Sequence, residues 1–232
     1  MFRDRVDAGR RLGELLKARR LGSVVVVGLP RGGVPVAFEV AREIGAPLDV
    51  IVVRKLGVPS QPEVAMGAIG EGGVRVVDRE IVATARVSDA VLAGVEQMER
   101  AELERRLALF RKVRPRVSLF ERTVIVVDDG IATGSTARAA CLVAVASGAA
   151  RVILAAPVAP RSVVEELSEV VDEVVCLETP DMFVAVGKWY ADFDQTRDEE
   201  VVDILRRSVE MSARDEDVAK GQGLSRGRQA TE

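Results

Sequence analysis

Short apolar runs alternate with helix-like stretches along most of the chain. Continuous apolar runs are typical of strands that are covered on both faces, as in parallel sheets. These runs lie at 23–29, 48–55, 124–129, 150–159 and 171–178. Apolar positions spaced three and four residues apart predict helices at 2–20, 34–45, 88–114, 136–148, 161–169 and 198–211. The alternation predicts an α/β fold with a doubly wound, mostly parallel sheet.

Residues 56–77 interrupt this alternation. They contain prolines and many glycines, and the apolar stretches around GEGG predict a hairpin preceded by a flexible loop with little to bury. Residues 88–114 predict a long inserted helix with Ser88 as its cap. Residues 212–232 are polar and rich in glycine, so we predict a disordered tail after one domain over 1–211.

Composition limits the chemistry that the chain can perform. It has 232 residues, a net charge of −3 and no histidine. The missing histidines exclude Ser-His-Asp and Cys-His nucleophiles and histidine metal sites. The negative charge disfavours nucleic acid or a membrane surface as the main partner. No apolar run reaches the ~18 residues of a membrane span, and the first residues do not resemble a signal peptide, so we expect a cytoplasmic protein.

The run TVIVV ends abruptly in Asp128 and Asp129, and a loop of small residues and hydroxyls follows. Ligands of parallel α/β sheets bind at the carboxyl ends of strands, and the amides at a helix start bind anions. The segment Thr133–Thr136 therefore predicts a phosphate site, although it is not a Walker loop. The carboxylates could accept hydrogen bonds from sugar hydroxyls or hold Mg²⁺, so a phosphorylated sugar is the predicted ligand.

Two further strand ends carry positive charge or bare backbone. Arg31, Gly32 and Gly33 open a predicted helix, and Arg54 and Lys55 end an apolar run. Each feature alone fits a common turn or a solvated strand end. Together with the phosphate site they form a region able to hold pyrophosphate.

The segment VIVVDDGIATGST resembles the phosphoribosyl pyrophosphate (PRPP) signature of type I phosphoribosyltransferases, and the resemblance extends over roughly 20–196. It implies that Asp128 and Asp129 bind the ribose hydroxyls and that residues 56–77 are the flexible loop that closes over the site. The implied 5-phosphate residues are Ala132, Thr133, Gly134, Ser135 and Thr136. The implied pyrophosphate residues are Arg31, Gly32, Gly33, Arg54 and Lys55.

The resemblance also implies a small hood at 178–196 that binds the acceptor base. Phe183 or Trp189 would stack on the base, and Asp192 would approach Mg²⁺ that is held by Asp128 and Asp129. An ordinary packing role for the aromatic residues stays open. Many 6-oxopurine enzymes have Asp where this chain has Ala132, which argues against a hypoxanthine–guanine enzyme and leaves the acceptor open.

The implied activity is Mg²⁺-dependent transfer of a phosphoribosyl group from PRPP to a small acceptor, expected to be a nucleobase, with release of pyrophosphate. Asp128, Asp129, Arg54 and Lys55 are the residues expected to carry it. One alternative is a regulatory module that senses PRPP without turnover, and another is a scaffold whose hood binds a partner protein. The sequence leaves open whether the chain forms a homo-oligomer.

Overall fold

The computed structural model describes residues 1–19 and 21–211, and its elements follow the predicted alternation closely. The strands are β1 (Val24–Gly28), β2 (Leu48–Val50), β3 (Val53–Val58), β4 (Gln61–Gly70), β5 (Arg75–Val77), β6 (Thr123–Val127), β7 (Arg151–Val158) and β8 (Glu173–Glu178). The helices are α1 (Arg5–Lys17), α2 (Gly33–Ile44), α3 (Arg79–Thr84), α4 (Asp89–Phe110), α5 (Ser135–Ala146), α6 (Arg161–Ser168) and α7 (198–211). The predicted tail, 212–232, lies outside the described residues.

The central sheet of the described chain has five parallel strands in the order β2-β1-β6-β7-β8. Because side chains alternate along a strand, neighbouring residues face opposite layers. Val26 and Ile125 pack in one core with α1 and α2, whereas Val25 and Val124 pack in a second core with α5. Helices therefore cover both faces, which confirms the doubly wound, mostly parallel sheet.

The hairpin that interrupts the alternation forms a second sheet, with β3, β4 and β5 antiparallel. The run 48–55 is accordingly not one strand, because β2 ends at Val50 and β3 belongs to the hairpin. The expectation that the stretch before the hairpin has little to bury is wrong, since Leu56 and Val58 are both buried. The tip of this hairpin, residues 59–64, which include the first residues of β4, is exposed.

The inserted helix α4 packs against β3 and β4, so it covers the hairpin rather than the central sheet. Its cap is the predicted one, because the Ser88 hydroxyl accepts a hydrogen bond from the Val91 amide at 3.3 Å. Leu92, Leu103 and Phe110 form its buried stripe. In the described part of the chain, no helix is long and apolar enough to cross a membrane.

A buried ionic network joins the two sheets and α4. The Arg111 guanidinium donates to Asp49 at 2.6 Å and to Glu71 at 2.6 Å. Asp49 is only 2% exposed, and it also accepts the Val117 amide at 2.9 Å. Its carboxylate is thus fully engaged, as a buried charge must be.

The first residues of the chain are joined to the segment that was predicted as a hood. The Phe2 amide donates to the Trp189 carbonyl at 2.7 Å, and the Phe2 carbonyl accepts from the Ala191 amide at 2.8 Å. The Phe2 and Tyr190 rings lie 5.4 Å apart. The N-terminal segment therefore fixes the hood beside the carboxyl edge of the central sheet.

Candidate active site at the carboxyl edge of the sheet

The register of β1 and β6 brings the first two candidate groups together. Gly28 is opposite Val127, so the turn after β1 and the two aspartates after β6 leave the sheet side by side. A Cβ atom on Gly32 would overlap the Asp129 carboxylate, and one on Gly33 would lie 2.6 Å from the Val127 carbonyl oxygen. Glycine is required at both positions because the turn touches the aspartate segment.

Asp129 is held from two sides by residues that are distant in sequence. Its Oδ2 accepts from Arg5 Nε at 2.8 Å, and both side chains are largely buried. Its backbone carbonyl accepts from the Tyr190 hydroxyl at 2.5 Å. Arg5 itself also donates to the Asp194 carbonyl at 2.7 Å and lies 4.0 Å from the centre of the Phe193 ring.

Burial makes negative charge costly at this aspartate pair. It raises the pKa of Asp128 well above its ordinary value, and the adjacent Asp129 raises it further. Burial also raises the pKa of Asp129, and Arg5 partly offsets that effect. A pair with a single arginine for two carboxylates would be stabilised by ligand hydroxyls or by a cation.

The candidate phosphate cradle is the open start of α5. Gly134 is the residue before the helix and has a φ of +74°, a conformation that favours glycine. Ala132, Thr133 and Thr136 are exposed, and Ser135 is partly exposed. Hydroxyls and unpaired helix-start amides thus face solvent at the same edge as the aspartates.

The side chain that Gly134 lacks would not point into this cradle. A Cβ atom there would lie 3.0 Å from Val163 Cγ1 and 3.3 Å from Leu167 Cδ1, both on α6. A larger residue at this position would therefore not block an approaching phosphate directly. A larger residue would act by straining the turn and pressing on α6.

Arg54 and Lys55 lie within β3 rather than at the end of a parallel strand. Arg54 Nε donates to Glu99 of α4 at 2.6 Å, and Lys55 Nζ pairs with Glu63 at 3.3 Å. Both cations line a cavity of about 490 Å³ between the turn after β1, the hairpin and α4. Thr136 also lines it, so the cavity connects the cradle with the cations. Its volume is in the range of small-molecule sites.

The hood aromatics lie in a small core of their own. Phe183 and Trp189 are partly buried and pack against Phe2 and Tyr190, which supports the ordinary packing role that the sequence left open. Asp192 is exposed and its amide donates to the Arg3 carbonyl at 2.9 Å.

A metal would find few protein ligands here. Within residues 1–19 and 21–211, no group of three or more acidic or cysteine side chains is placed to hold a metal ion. Asp128 and Asp129 supply carboxylate oxygens of the kind that Mg²⁺ takes, and Mg²⁺ is commonly bound by one or two carboxylates with phosphates of the substrate. The pair therefore fits a magnesium ion that is completed by a ligand.

Sequence reasoning missed four residues at this edge. Arg5 and Tyr190 contact Asp129, but both are far from it in the chain, and no local pattern marks them. Glu99 and Arg106 line the cavity from α4. The sequence could have identified these two, because they are charged residues that occur at the spacing of the buried stripe of α4.

Comparison with known proteins identifies the family of the chain. A family model described as the phosphoribosyl transferase domain matches residues 7–194. The chain is 54% identical over 208 residues to proteins of two Mycobacterium tuberculosis strains, CDC 1551 and H37Rv, that are provisionally named phosphoribosyl transferases. The match covers 90% of this chain and 47% of theirs, so the chain spans about half the length of these relatives.

A solved structure is similar over almost its whole length. The crystal structure of TT1426 from Thermus thermophilus has 45% sequence identity and a TM-score of 0.84, and the match covers 89% of this chain and 98% of that one. The overall fold is thus shared with a related solved structure. Together with the matched domain, these similarities establish that the chain belongs to the phosphoribosyl transferase family.

Proposed function

We propose that this chain is a phosphoribosyltransferase that transfers the phosphoribosyl group of PRPP to a small acceptor and releases pyrophosphate. Membership of the family supports the class of reaction. The observation that carries the proposal is the contact between the two strand ends, where Gly32 touches the Asp129 carboxylate. An aspartate pair, an open helix start and a glycine turn next to Arg31 then meet at one edge, and these three features suit the three parts of PRPP.

In the proposed complex, each group of the donor has its own protein partner. The amides and hydroxyls of Thr133–Thr136 bind the 5-phosphate. The ribose hydroxyls donate to Asp128 and to the oxygen of Asp129 that Arg5 does not contact. Arg31, Arg54 and Lys55 bind the pyrophosphate group, where negative charge grows as it leaves.

The reaction breaks the bond between C1 of the ribose and pyrophosphate and forms a bond from C1 to the acceptor, which loses a proton. Positive charge develops on the ribose ring during this step, as in glycoside hydrolysis. The partly buried Asp128 and Asp129 lie next to that charge and stabilise it. The hairpin tip, residues 59–64, is exposed and closes over the donor to exclude water.

Mg²⁺ would be held by Asp128 and Asp129 and by oxygens of the donor. When bound, it would neutralise charge on the pyrophosphate group. The chain's own contribution is to fix Asp129 through Arg5 and Tyr190, so that the pair is placed before the ligand arrives.

The test is a screen of acceptors with labelled PRPP in the presence of Mg²⁺, following release of pyrophosphate. We expect acceptor-dependent release that Asp128→Asn with Asp129→Asn abolishes. If no acceptor causes release of pyrophosphate but PRPP binds tightly, the alternative of a PRPP-sensing module is favoured. If the wild type neither releases pyrophosphate nor binds PRPP, both hypotheses are contradicted.

A further inference from the structure

The core-facing stripe of α4 contains charged residues that packing does not explain. Leu92, Leu103 and Phe110 are buried, and Glu99 and Arg106 stand between them at the same spacing of three and four residues. A stripe that only packed against the hairpin would be apolar throughout. These two positions are charged where the helix passes over the cavity of about 490 Å³.

Among the described residues that line this cavity, three are cations and two are acids, namely Arg54, Lys55, Arg106, Glu63 and Glu99. Of the three cations already predicted for pyrophosphate, the two in this lining are engaged, Arg54 by Glu99 at 2.6 Å and Lys55 by Glu63 at 3.3 Å. A dianionic or more highly charged ligand would need a further positive group. Arg106 is the remaining cation of the lining.

Arg106 can turn into the cavity at little cost. It is paired with Glu102 at 2.9 Å, one helical turn earlier. Glu102 also accepts two hydrogen bonds from Arg105, at 2.8 and 2.9 Å, so its charge stays compensated when Arg106 leaves. An ion pair of this kind on a helix surface contributes little to stability.

We propose that Arg106 is a fourth cation of the pyrophosphate-binding region, beside Arg31, Arg54 and Lys55, so that the inserted helix takes part in binding the leaving group. The inference rests on the proposed phosphoribosyl transfer. Arg106 stands on a helix and lines the same cavity as the cradle residue Thr136, so a ligand that filled this cavity would lie between them. Its planar guanidinium suits bidentate contact with phosphate oxygens.

Calorimetric titration with inorganic pyrophosphate and Mg²⁺ tests the assignment on the whole chain. Arg106→Gln should weaken binding by about tenfold to a hundredfold, the effect of losing one charge-assisted contact. Arg106→Lys keeps the positive charge but loses the bidentate guanidinium, so its affinity for pyrophosphate should lie between those of Arg106→Gln and the wild type. Arg105→Gln is the matched control, because Arg105 shares the partner Glu102 but does not line the cavity.

Ribose 5-phosphate serves as the second probe, because the cradle binds it and its affinity should not depend on Arg106. If Arg106→Gln and Arg105→Gln bind pyrophosphate equally well, the role of Arg106 is overturned and the proposed transfer stands. If Arg106→Gln weakens both probes equally, the effect is general and the role is also overturned. If the wild type binds no pyrophosphate, this inference and the proposed function both fall.

Discussion

At the scale of single residues, Asp128 is placed where a buried carboxylate costs stability, and we propose that it serves a ligand. Its pKa is raised by burial and by Asp129, so the folded state holds a proton there more tightly than the unfolded chain. The stability that Asp128 contributes is complete below the unfolded pKa of about 3.9 and is lost as pH rises through the higher folded pKa. Asparagine at this position cannot ionise and so avoids this loss. Its side-chain oxygen can still accept the hydrogen bond that the Asp129 amide donates to Asp128 at 2.9 Å.

We therefore expect Asp128→Asn to raise the free energy of unfolding of the metal-free protein at pH 7 by about 1 kcal/mol, at the low end of the cost of burying a polar group. The gain should shrink as pH falls towards 4. Urea unfolding in the presence of a chelator measures it, and Asp203→Asn, on an exposed side chain, is the control. A variant that is less stable than the wild type at pH 7 would contradict this account of the charge.

The cradle offers a pair of substitutions that separate strain from binding. Ser135→Ala removes one hydroxyl from a partly exposed position, so affinity for ribose 5-phosphate should fall by about tenfold to a hundredfold with stability unchanged. Gly134→Val forces a β-branched residue to a φ of +74° against Val163, so it should lower both stability and affinity.

Calorimetry and thermal melts distinguish the two effects. Ser168→Ala is a suitable control, since that exposed hydroxyl donates to the Val164 carbonyl within α6. Equal affinities for Ser135→Ala and the wild type would remove the hydroxyl from the phosphate site. A Gly134→Val protein with normal stability would contradict the strain argument.

At the scale of elements, the sequence predicted most strands and helices because their patterns are local. Apolar runs marked the five strands of the parallel sheet, and Ser88 marked the start of α4. It could not separate β2 from β3, because the apolar run continues through Ile51 and Val52 while the chain changes sheets. Which strands pair with each other depends on residues far apart in the chain, so one apolar segment does not reveal it.

The buried network of Arg111 joins the elements that local patterns left unconnected. Arg111→Met would leave Asp49, which is 2% exposed, without its charged partner. We expect a loss of about 3–5 kcal/mol of stability, the cost of orphaning a buried charge. Asp49→Asn in the same chain should recover part of the loss.

Denaturant unfolding measures both variants, with Arg206→Met on an exposed pair as the control. A loss no larger than that of the control would show that the network does not connect the sheets energetically. If the stability changes of Asp49→Asn and Arg111→Met are fully additive, the ion pair between these two residues contributes no interaction energy.

The hairpin β3–β4 is the element that we expect to respond to the donor. Its tip is exposed and bears Glu63, which bonds the cavity residue Lys55 at 3.3 Å. Amides of residues 56–66 should exchange more slowly in the presence of PRPP and Mg²⁺, because the tip closes over the bound donor. Hydrogen exchange monitored by mass spectrometry measures this, with β6 as the internal reference. Equal protection with and without ligand would mean that the hairpin does not close.

At the scale of the whole molecule, the candidate site is assembled from residues that are far apart in the chain. Arg5 and Tyr190 meet Asp129 across 124 and 61 residues, and Phe2 joins the hood to the first helix. The sequence motif identified the aspartates and the cradle, because those residues are contiguous. It could not find Arg5 or Tyr190, because only the folded sheet brings the chain's first residues to the end of β6.

The most direct test of the central claim is calorimetric titration of Mg²⁺ and PRPP into the wild type and into the double variant Asp128→Asn with Asp129→Asn. The account predicts binding by the wild type and a severe loss of affinity in a double variant that remains folded, since both carboxylates serve the ligand. A folded double variant that binds PRPP as tightly as the wild type would contradict the claim that this aspartate pair holds the ribose.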